Sequence, residues 1–173
     1  MWRYREAIPI GDDAHVVSLD EGHTPLLRVE VGGMPVWIKQ DQLFSTGSYK
    51  DRGASVLVTK IKELGIGQVV EDSSGNAGCA IAAYCAHAGI GCTIYVPAET
   101  SAGKLAQIRA YGATLIQVPG TRQDTAEAVW EAALALTGRG SLHEKPILLA
   151  EIERHIGSIE QHLSPAQRRG SIS

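Results

Sequence analysis

The sequence predicts an α/β protein with an open parallel sheet and flanking helices. Short apolar segments alternate with helical segments between residues 50 and 136, and glycines separate many of them. This alternation is typical of a parallel sheet whose strands are joined by helical crossovers. The chain has 173 residues, with 44% hydrophobic and 20% charged content, which is enough to form one globular core.

A β-hairpin is predicted to precede this alternation. The segments 26–31 and 36–39 are rich in β-branched and large apolar residues, and Gly32-Gly33 lies between them. Two glycines favour a tight turn because they adopt positive φ angles without strain. We therefore expect the two segments to pair in antiparallel orientation.

The first helix of the alternating region is predicted from Lys50 to about Leu64. Ser48 and Asp51 have the spacing of a capping box at its start. Gly65 follows its end, where a glycine commonly terminates a helix. The other elements are predicted by the same signals. The further strands are 68–71, 92–96 and 113–118, and the further helices are 77–88, 101–111 and 123–136.

A domain boundary is expected near residue 140, between residues 1–140 and 141–173. The second part carries one amphipathic stripe of apolar residues, and its sequence has no further strand or glycine-rich turn. A metal site is not expected there, because a solvated helix face explains the spacing of its acidic and histidine side chains better. Those side chains are Glu151, His155 and His162.

Composition disfavours several functional classes. A net charge of -3 gives no general attraction to nucleic acid. No apolar run is long enough to span a membrane, and the first residues lack the apolar core of a signal peptide. The cysteines lack C-x-x-C spacing, so we expect buried, reduced thiols in a cytoplasmic protein. They are Cys79, Cys85 and Cys92.

One lysine stands in a distinctive setting. Lys50 lies in the segment Thr46-Gly47-Ser48-Tyr49-Lys50-Asp51-Arg52-Gly53, at a predicted helix start. The positive end of the helix dipole and the nearby Arg52 disfavour an ammonium there, which favours a neutral amine nucleophile. From the spacing alone, an ordinary solvated lysine at a helix start is the favoured interpretation. Lys104, early in the third helix, is a weaker candidate for contact with an anionic substrate.

A second motif is Ser73-Ser74-Gly75-Asn76-Ala77-Gly78, between a predicted strand and a predicted helix. Backbone N–H groups at a helix N-terminus bind anions, here a phosphate or a carboxylate. The hydroxyls of Ser73 and Ser74 and the amide of Asn76 add hydrogen-bonding groups. The motif matches neither the phosphate loop of nucleotidases nor the dinucleotide fingerprint. The alternative is a turn that only requires glycine.

A positioned amine together with an anion-binding turn is what a pyridoxal 5'-phosphate (PLP) enzyme requires. The two motifs, in this order, resemble those of the fold-type II PLP-dependent enzymes, and the threonine synthase family among them most closely. The resemblance covers about residues 2–136. Other similar segments are Trp2-Arg3-Tyr4-Arg5 with Glu21-Gly22-His23-Thr24-Pro25-Leu26, Gly103-Lys104-Leu105-Ala106-Gln107, and Tyr111-Gly112-Ala113.

The resemblance implies the N-terminal portion of a tryptophan synthase β-like fold and a small amino-acid substrate. Lys50 would form a Schiff base with PLP and then move protons, and Asn76 would contact the cofactor's ring oxygen. The implied reaction converts O-phosphohomoserine and water to threonine and phosphate. The implied contacts to the substrate α-carboxylate are Ser73, Ser74, Gly75, Asn76 and Ala77.

Sister families share this scaffold, so a serine/threonine dehydratase or a cysteine synthase-like enzyme is an alternative. Cysteine synthases usually lack the Thr-Gly-Ser before the lysine, and the dehydratases usually lack the aspartate after it. The segments Asp51-Arg52-Gly53 and Trp2-Arg3-Tyr4-Arg5 therefore favour the threonine synthase family.

The chain departs from that family in two places. Phe44-Ser45 stands where the family commonly has Asn-Pro. After residue 140 we find no counterpart of the family's second glycine-rich loop, which binds the PLP phosphate, or of its Ser or Thr at the pyridine nitrogen. We therefore expect a truncated or frame-shifted product whose exposed apolar surface invites association into homo-oligomers. A non-catalytic remnant or interaction module is the alternative to an enzyme.

Overall fold

Two separate β-sheets form the framework of residues 1–136, the part of the chain that the computed structural model describes. One sheet is an antiparallel pair, and the other is a parallel sheet of three strands with the second of the three in the centre. The predicted α/β class with a parallel sheet is confirmed. The strands are β1 (Leu26–Val31), β2 (Met34–Lys39), β3 (Gln68–Glu71), β4 (Gly91–Pro97) and β5 (Thr114–Val118).

Helices follow the strands of the parallel sheet in the predicted alternation. Each predicted helix and strand up to residue 136 is present, with ends within two residues of those expected. None of the helices in this described part is long and apolar enough to cross a membrane. The predicted stripe of residues 141–173, with Glu151, His155 and His162, lies outside the described residues. The helices are α1 (Lys50–Glu63), α2 (Asn76–Ala88), α3 (Ala102–Ala110) and α4 (Arg122–Leu136).

The hairpin between β1 and β2 turns at the two predicted glycines. Val31 pairs with Met34, so Gly32 and Gly33 alone form the turn. Their φ angles are 58° and 79°, a conformation that other residues adopt only with strain. This turn sets the register of the whole pair, which continues to Leu26 opposite Lys39.

The core lies where α2 packs against the parallel sheet and its neighbouring helices. α2 contacts α1, α3 and β4, and its residues from Gly78 to Cys85 are all buried. On β4, Cys92, Ile94 and Val96 are buried while the residues between them are less so, as expected for one covered face. The small side chains of α2 allow this close approach.

The three cysteines are buried and take no part in disulfides, as predicted. Cys79 and Cys85 lie on α2, and Cys92 lies on β4. Burial raises the pKa of the Cys79 thiol, which keeps it protonated. The Cys79 thiol therefore acts as a small apolar side chain of the core, while Cys85 and Cys92 form a hydrogen-bonded pair between α2 and β4.

The start of α1 differs from the predicted capping box. The Ser48 hydroxyl oxygen accepts from the backbone N–H of Lys50 at 3.3 Å. The Asp51 carboxylate accepts from the backbone N–H of Thr46 at 3.0 Å and from the Thr46 hydroxyl. The chain turns at Gly47, where φ is 83°, and this brings Thr46 rather than Ser48 to the carboxylate. The predicted partners of the capping box were therefore wrong.

A buried carboxylate ties the N-terminal segment to α1 and α2. Glu21 accepts hydrogen bonds from Trp2 Nε1 at 2.9 Å, the Ser55 hydroxyl at 2.7 Å and the Tyr84 hydroxyl at 2.8 Å. Burial alone would raise the pKa of Glu21. The hydrogen bonds from Ser55, Tyr84 and the backbone N–H of Leu19 outweigh it and lower that pKa.

Candidate active site

Lys50 lines a cavity of about 260 Å³. It is the first residue of α1, so the cavity begins at the N-terminal end of that helix. The wall consists mainly of small and apolar side chains, with Lys50 and one carboxylate as its ionisable groups. The lining residues are Lys50, Gly53, Ala54, Leu57, Glu71, Ala77, Ala80 and Ile81.

The cavity lies at the carboxyl end of β3. Glu71 is the last residue of this strand, and Ala77 lies in the first turn of the helix that follows it. In open α/β sheets, ligands bind at the carboxyl ends of parallel strands, where strand-to-helix loops gather. The Lys50 motif begins α1 and the second motif follows β3, and the structure brings Lys50 and Ala77 into one cavity wall.

The N-terminus of α2 presents free backbone donors. Within residues 1–136, the backbone N–H groups of Asn76, Ala77 and Gly78 have no acceptor, and the N–H of Cys79 bonds to the Gly75 carbonyl at 3.0 Å. Three unused N–H groups at a helix start attract an anion through both hydrogen bonds and the helix dipole. The geometry is therefore that of the predicted anion-binding turn.

The loop before α2 lies directly against the first turn of that helix. A side chain at position 78 would place its Cβ 1.9 Å from the Ser73 carbonyl oxygen, so only glycine fits there. The Ser73 hydroxyl accepts from the backbone N–H of Gly75 at 3.3 Å, which holds the loop in shape. Gly75 and Asn76 are exposed, and Ser74 is partly buried in the same loop.

Glu71 is a residue of this site that the sequence analysis missed. Burial raises the pKa of its carboxyl group, and the neighbouring Asp72 raises it further, while Lys50 and Arg122 act in the opposite direction. Glu71 therefore lies within electrostatic reach of the Lys50 amine. The available signal was an acidic residue that follows two valines at the end of a strand.

Arg52 is directed away from the Lys50 cavity. Its guanidinium donates to both carboxylate oxygens of Asp41, at 2.6 and 2.9 Å, and lies 4.6 Å from the centroid of the Phe44 ring. Residues two apart on a helix point in nearly opposite directions. The expected influence of Arg52 on the Lys50 amine is therefore not supported, because Asp41 compensates its charge on another face. Tyr49 is the aromatic neighbour of Lys50, with its ring centroid 5.1 Å from Nζ.

The donor set fits the reactive part of PLP. A primary amine is the group that binds the cofactor's aldehyde, and unused N–H groups suit an anionic group beside it. The small residues Gly53, Ala77 and Ala80 leave room next to that amine. Lys104, the weaker candidate from the sequence, lies in α3.

Comparison with known proteins agrees with this arrangement. Residues 17–151 match a family described as pyridoxal-phosphate dependent enzyme, past the boundary expected at residue 140. A threonine synthase of Methanocaldococcus jannaschii is 41% identical over 139 residues, which are 77% of this chain and 34% of that protein. A threonine synthase of Mycobacterium leprae is 40% identical over 129 residues, which are 72% of this chain and 36% of that protein. The chain spans about a third of the length of these relatives.

Solved structures show the same fold at lower identity. An O-ureido-L-serine synthase matches with a TM-score of 0.60 and 29% identity, covering 65% of this chain and 38% of that protein. A hydrogen sulfide-producing enzyme of Fusobacterium nucleatum matches with a TM-score of 0.62 and 26% identity, covering 72% of this chain and 44% of that protein. The described residues therefore correspond to the N-terminal portion of the longer fold of these enzymes.

Proposed function

The chain belongs to the pyridoxal-phosphate dependent enzyme family, and we propose that its Lys50 cavity is the lysine half of an active site of the threonine synthase type. The proposed reaction converts O-phosphohomoserine and water to threonine and phosphate. Relatives named threonine synthase, 35% to 41% identical to this chain, support that choice within the family. The observation that carries the proposal is the Lys50 amine in a small apolar cavity whose wall includes the first turn of α2.

Each side chain and backbone group of this half-site has a separable task. Lys50 would hold the cofactor through Nζ, and the amide of Asn76 would bond to the cofactor's ring oxygen. Ser73, Ser74 and the backbone from Gly75 to Ala77 would bind the substrate α-carboxylate, because the first N–H groups of α2 are unused. When bound, PLP supplies an electron sink for the pair left at the substrate α-carbon.

Proton movement then falls to Lys50. With cofactor and substrate bound, the Lys50 Nζ atom would take a proton from the substrate α-carbon and return one later. The small residues Gly53, Ala77 and Ala80 beside it leave room for the substrate. A carboxylate fixed at the N-terminus of α2 keeps the reacting carbons at a constant position relative to that amine.

Reductive trapping tests the half-site directly. PLP is added to the purified chain, the complex is reduced with borohydride, and the modified peptide is mapped by mass spectrometry. We expect one adduct, on Lys50, with the change in visible absorbance that accompanies binding of an amine to PLP. Lys50→Ala should lose that adduct, because the reacting amine is gone.

Lys62→Ala is the matched control, since Lys62 lies on the same helix and does not line the cavity. It should keep the full Lys50 adduct. Labelling of several lysines would contradict a specific PLP site at Lys50, and so would labelling that is unchanged in Lys50→Ala. Either result would favour the alternative of a non-catalytic remnant or interaction module. Phosphate release from O-phosphohomoserine then tests turnover.

A cysteine synthase-like reaction is the second candidate, supported by the likeness to an O-ureido-L-serine synthase at 29% identity. A serine/threonine dehydratase is the remaining alternative within the scaffold. A substrate panel separates the three. Phosphate from O-phosphohomoserine supports the first, a cysteine-type product from an activated serine and a thiol supports the second, and ammonia from serine or threonine supports the third.

We also propose a cellular location, a class of ligand and an oligomeric tendency for this chain. We infer a cytoplasmic location from its buried free thiols. We infer a small amino-acid substrate rather than a nucleic acid from the net charge of -3. Exposed apolar residues on the hairpin, such as Met34 at 67% exposure, support association into a homo-oligomer.

A further inference from the structure

A second cavity lies on the side of α1 that faces away from Lys50. Its volume is about 610 Å³, inside the range of about 300–1,000 Å³ that is usual for small-molecule sites. Arg52 lines this cavity, whereas Lys50, two residues earlier, lines the first one. The other walls come from the N-terminal segment, through Arg3 and Tyr4, and from the end of β2, through Lys39.

Lys39 and Arg52 are held in place by hydrogen bonds and keep further N–H groups for a ligand. Lys39 Nζ donates to the carbonyl oxygen of Thr24, and an ammonium has two further N–H groups. Arg52 donates two N–H groups to Asp41, at 2.6 and 2.9 Å, and a guanidinium has three more. The Phe44 ring, 4.6 Å from Arg52, further fixes that side chain. Donors that are already fixed bind an anion at a lower entropic cost.

The charges around the cavity favour a doubly charged anion. The Met1 amino group, Arg3, Lys39 and Arg52 are cations, and the Asp41 carboxylate that holds Arg52 compensates one of them, so positive charge is in excess around the cavity. A phosphomonoester near neutral pH carries about -1.5 to -2. Its three oxygens could accept from the remaining N–H groups of both Lys39 and Arg52.

The cavity also offers an aromatic surface. The Tyr4 side chain lines it and is 63% exposed, and the Arg3 guanidinium lies 5.8 Å from its ring centroid. The exposed part of the ring offers a surface to a planar group. We propose that this cavity binds a small phosphomonoester carrying a planar aromatic group, with the phosphate between Lys39 and Arg52 and the ring against Tyr4. The site is separate from the Lys50 cavity and does not depend on the proposed reaction.

Phenyl phosphate is the probe, and isothermal titration calorimetry of the full chain measures its binding. We expect phenyl phosphate to bind more tightly than inorganic phosphate, and phenol to bind negligibly. Lys39→Met and Arg3→Ala should each weaken phenyl phosphate by about 5-fold or more, because each removes a charged donor. Tyr4→Ala should weaken phenyl phosphate and leave inorganic phosphate unchanged.

Arg109→Ala is the matched control, since it removes an exposed arginine of α3 that does not line the cavity. It should bind phenyl phosphate like the unsubstituted chain, and so should Lys50→Ala, which tests the other cavity. Circular dichroism checks that each variant is folded, and Arg3 and Tyr4 are exposed enough to replace without loss of packing. Equal binding by the Lys39, Arg3 and Arg109 variants would overturn the phosphate site, and an unchanged affinity in Tyr4→Ala would overturn the aromatic part.

Discussion

Glu21 shows what one buried carboxylate does for this fold. Only 2% of the residue is exposed, yet it accepts hydrogen bonds from Trp2, Ser55 and Tyr84, which belong to three different segments. Hydrogen bonds to a charged group are stronger than neutral ones, and an unsatisfied partner in this position would cost free energy. The N-terminal segment is therefore held against α1 and α2 by a charge as well as by apolar contacts.

Glu21→Gln should lower the free energy of unfolding at pH 7 by about 1–3 kcal/mol, because it removes a charged acceptor from three donors. The pKa of Glu21 is lowered below its ordinary value of 4.5 in the folded chain. Its contribution to stability is therefore complete above pH 4.5 and is lost as the pH falls through the folded pKa. Urea unfolding at several pH values measures both effects.

Glu30→Gln is the matched control, because Glu30 is an exposed carboxylate on β1. Its effect on unfolding should stay within about 0.5 kcal/mol. The unsubstituted chain should lose more stability than Glu21→Gln when the pH falls below 4.5. Parallel losses in the two proteins would mean that the Glu21 charge adds nothing to the acid sensitivity.

At the scale of elements, the loop that contains Ser73 packs so closely against α2 that position 78 has no room for a side chain. Gly78→Ala would place Cβ 1.9 Å from the Ser73 carbonyl oxygen, so the loop or the helix must move. We expect the free energy of unfolding to fall by about 1–3 kcal/mol. The displaced loop should also weaken PLP trapping at Lys50, since it carries the anion-binding N–H groups.

Gly103→Ala is the control for a glycine in a helix with open space. No atom lies within 4 Å of the Cβ that it would add, and its φ is not positive. Alanine should therefore stabilise α3 by about 0.5–1 kcal/mol. Chemical denaturation of both variants checks the pair, and equal effects of the same sign would contradict a specific clash at Gly78.

Elements could be predicted here because their signals are local. The Gly32-Gly33 turn and the strand β4 depend on neighbours in sequence, and both are confirmed. A candidate site residue could be named only where a motif marked it, as at Lys50, and its role stays a prediction. Glu71 was missed because its burial arises from the packing of α1 and α2 around the strand end. The Asp51 contact to Thr46 depends on the turn at Gly47, which spacing alone does not reveal.

At the scale of the whole molecule, the hairpin has one face made only of apolar side chains. Residues directly opposite each other in an antiparallel pair lie on the same face. The register therefore places Leu27 with Ile38, Val29 with Val36, and Val31 with Met34 on that face. The other face is mixed, with Arg28 opposite Trp37 and Glu30 opposite Pro35.

This apolar face is exposed: Leu27 is 50%, Val31 57% and Met34 67% accessible. An isolated two-stranded sheet is only marginally stable in water, and contiguous apolar patches of this kind promote association. We expect the chain to self-associate through this face as its concentration rises. Sedimentation velocity over a range of concentrations measures the effect.

Val36→Glu should shift the chain towards monomer, because it introduces a charge at the centre of the apolar face, opposite Val29. Trp37→Glu is the matched control on the other face. It makes the same change in charge and removes a larger, 59% exposed side chain. If association depends on total exposed apolar area, Trp37→Glu would reduce it more. If association depends on the apolar face of the hairpin, Val36→Glu would reduce it more. We expect Val36→Glu to have the larger effect, because only the apolar face can exclude water over a continuous area.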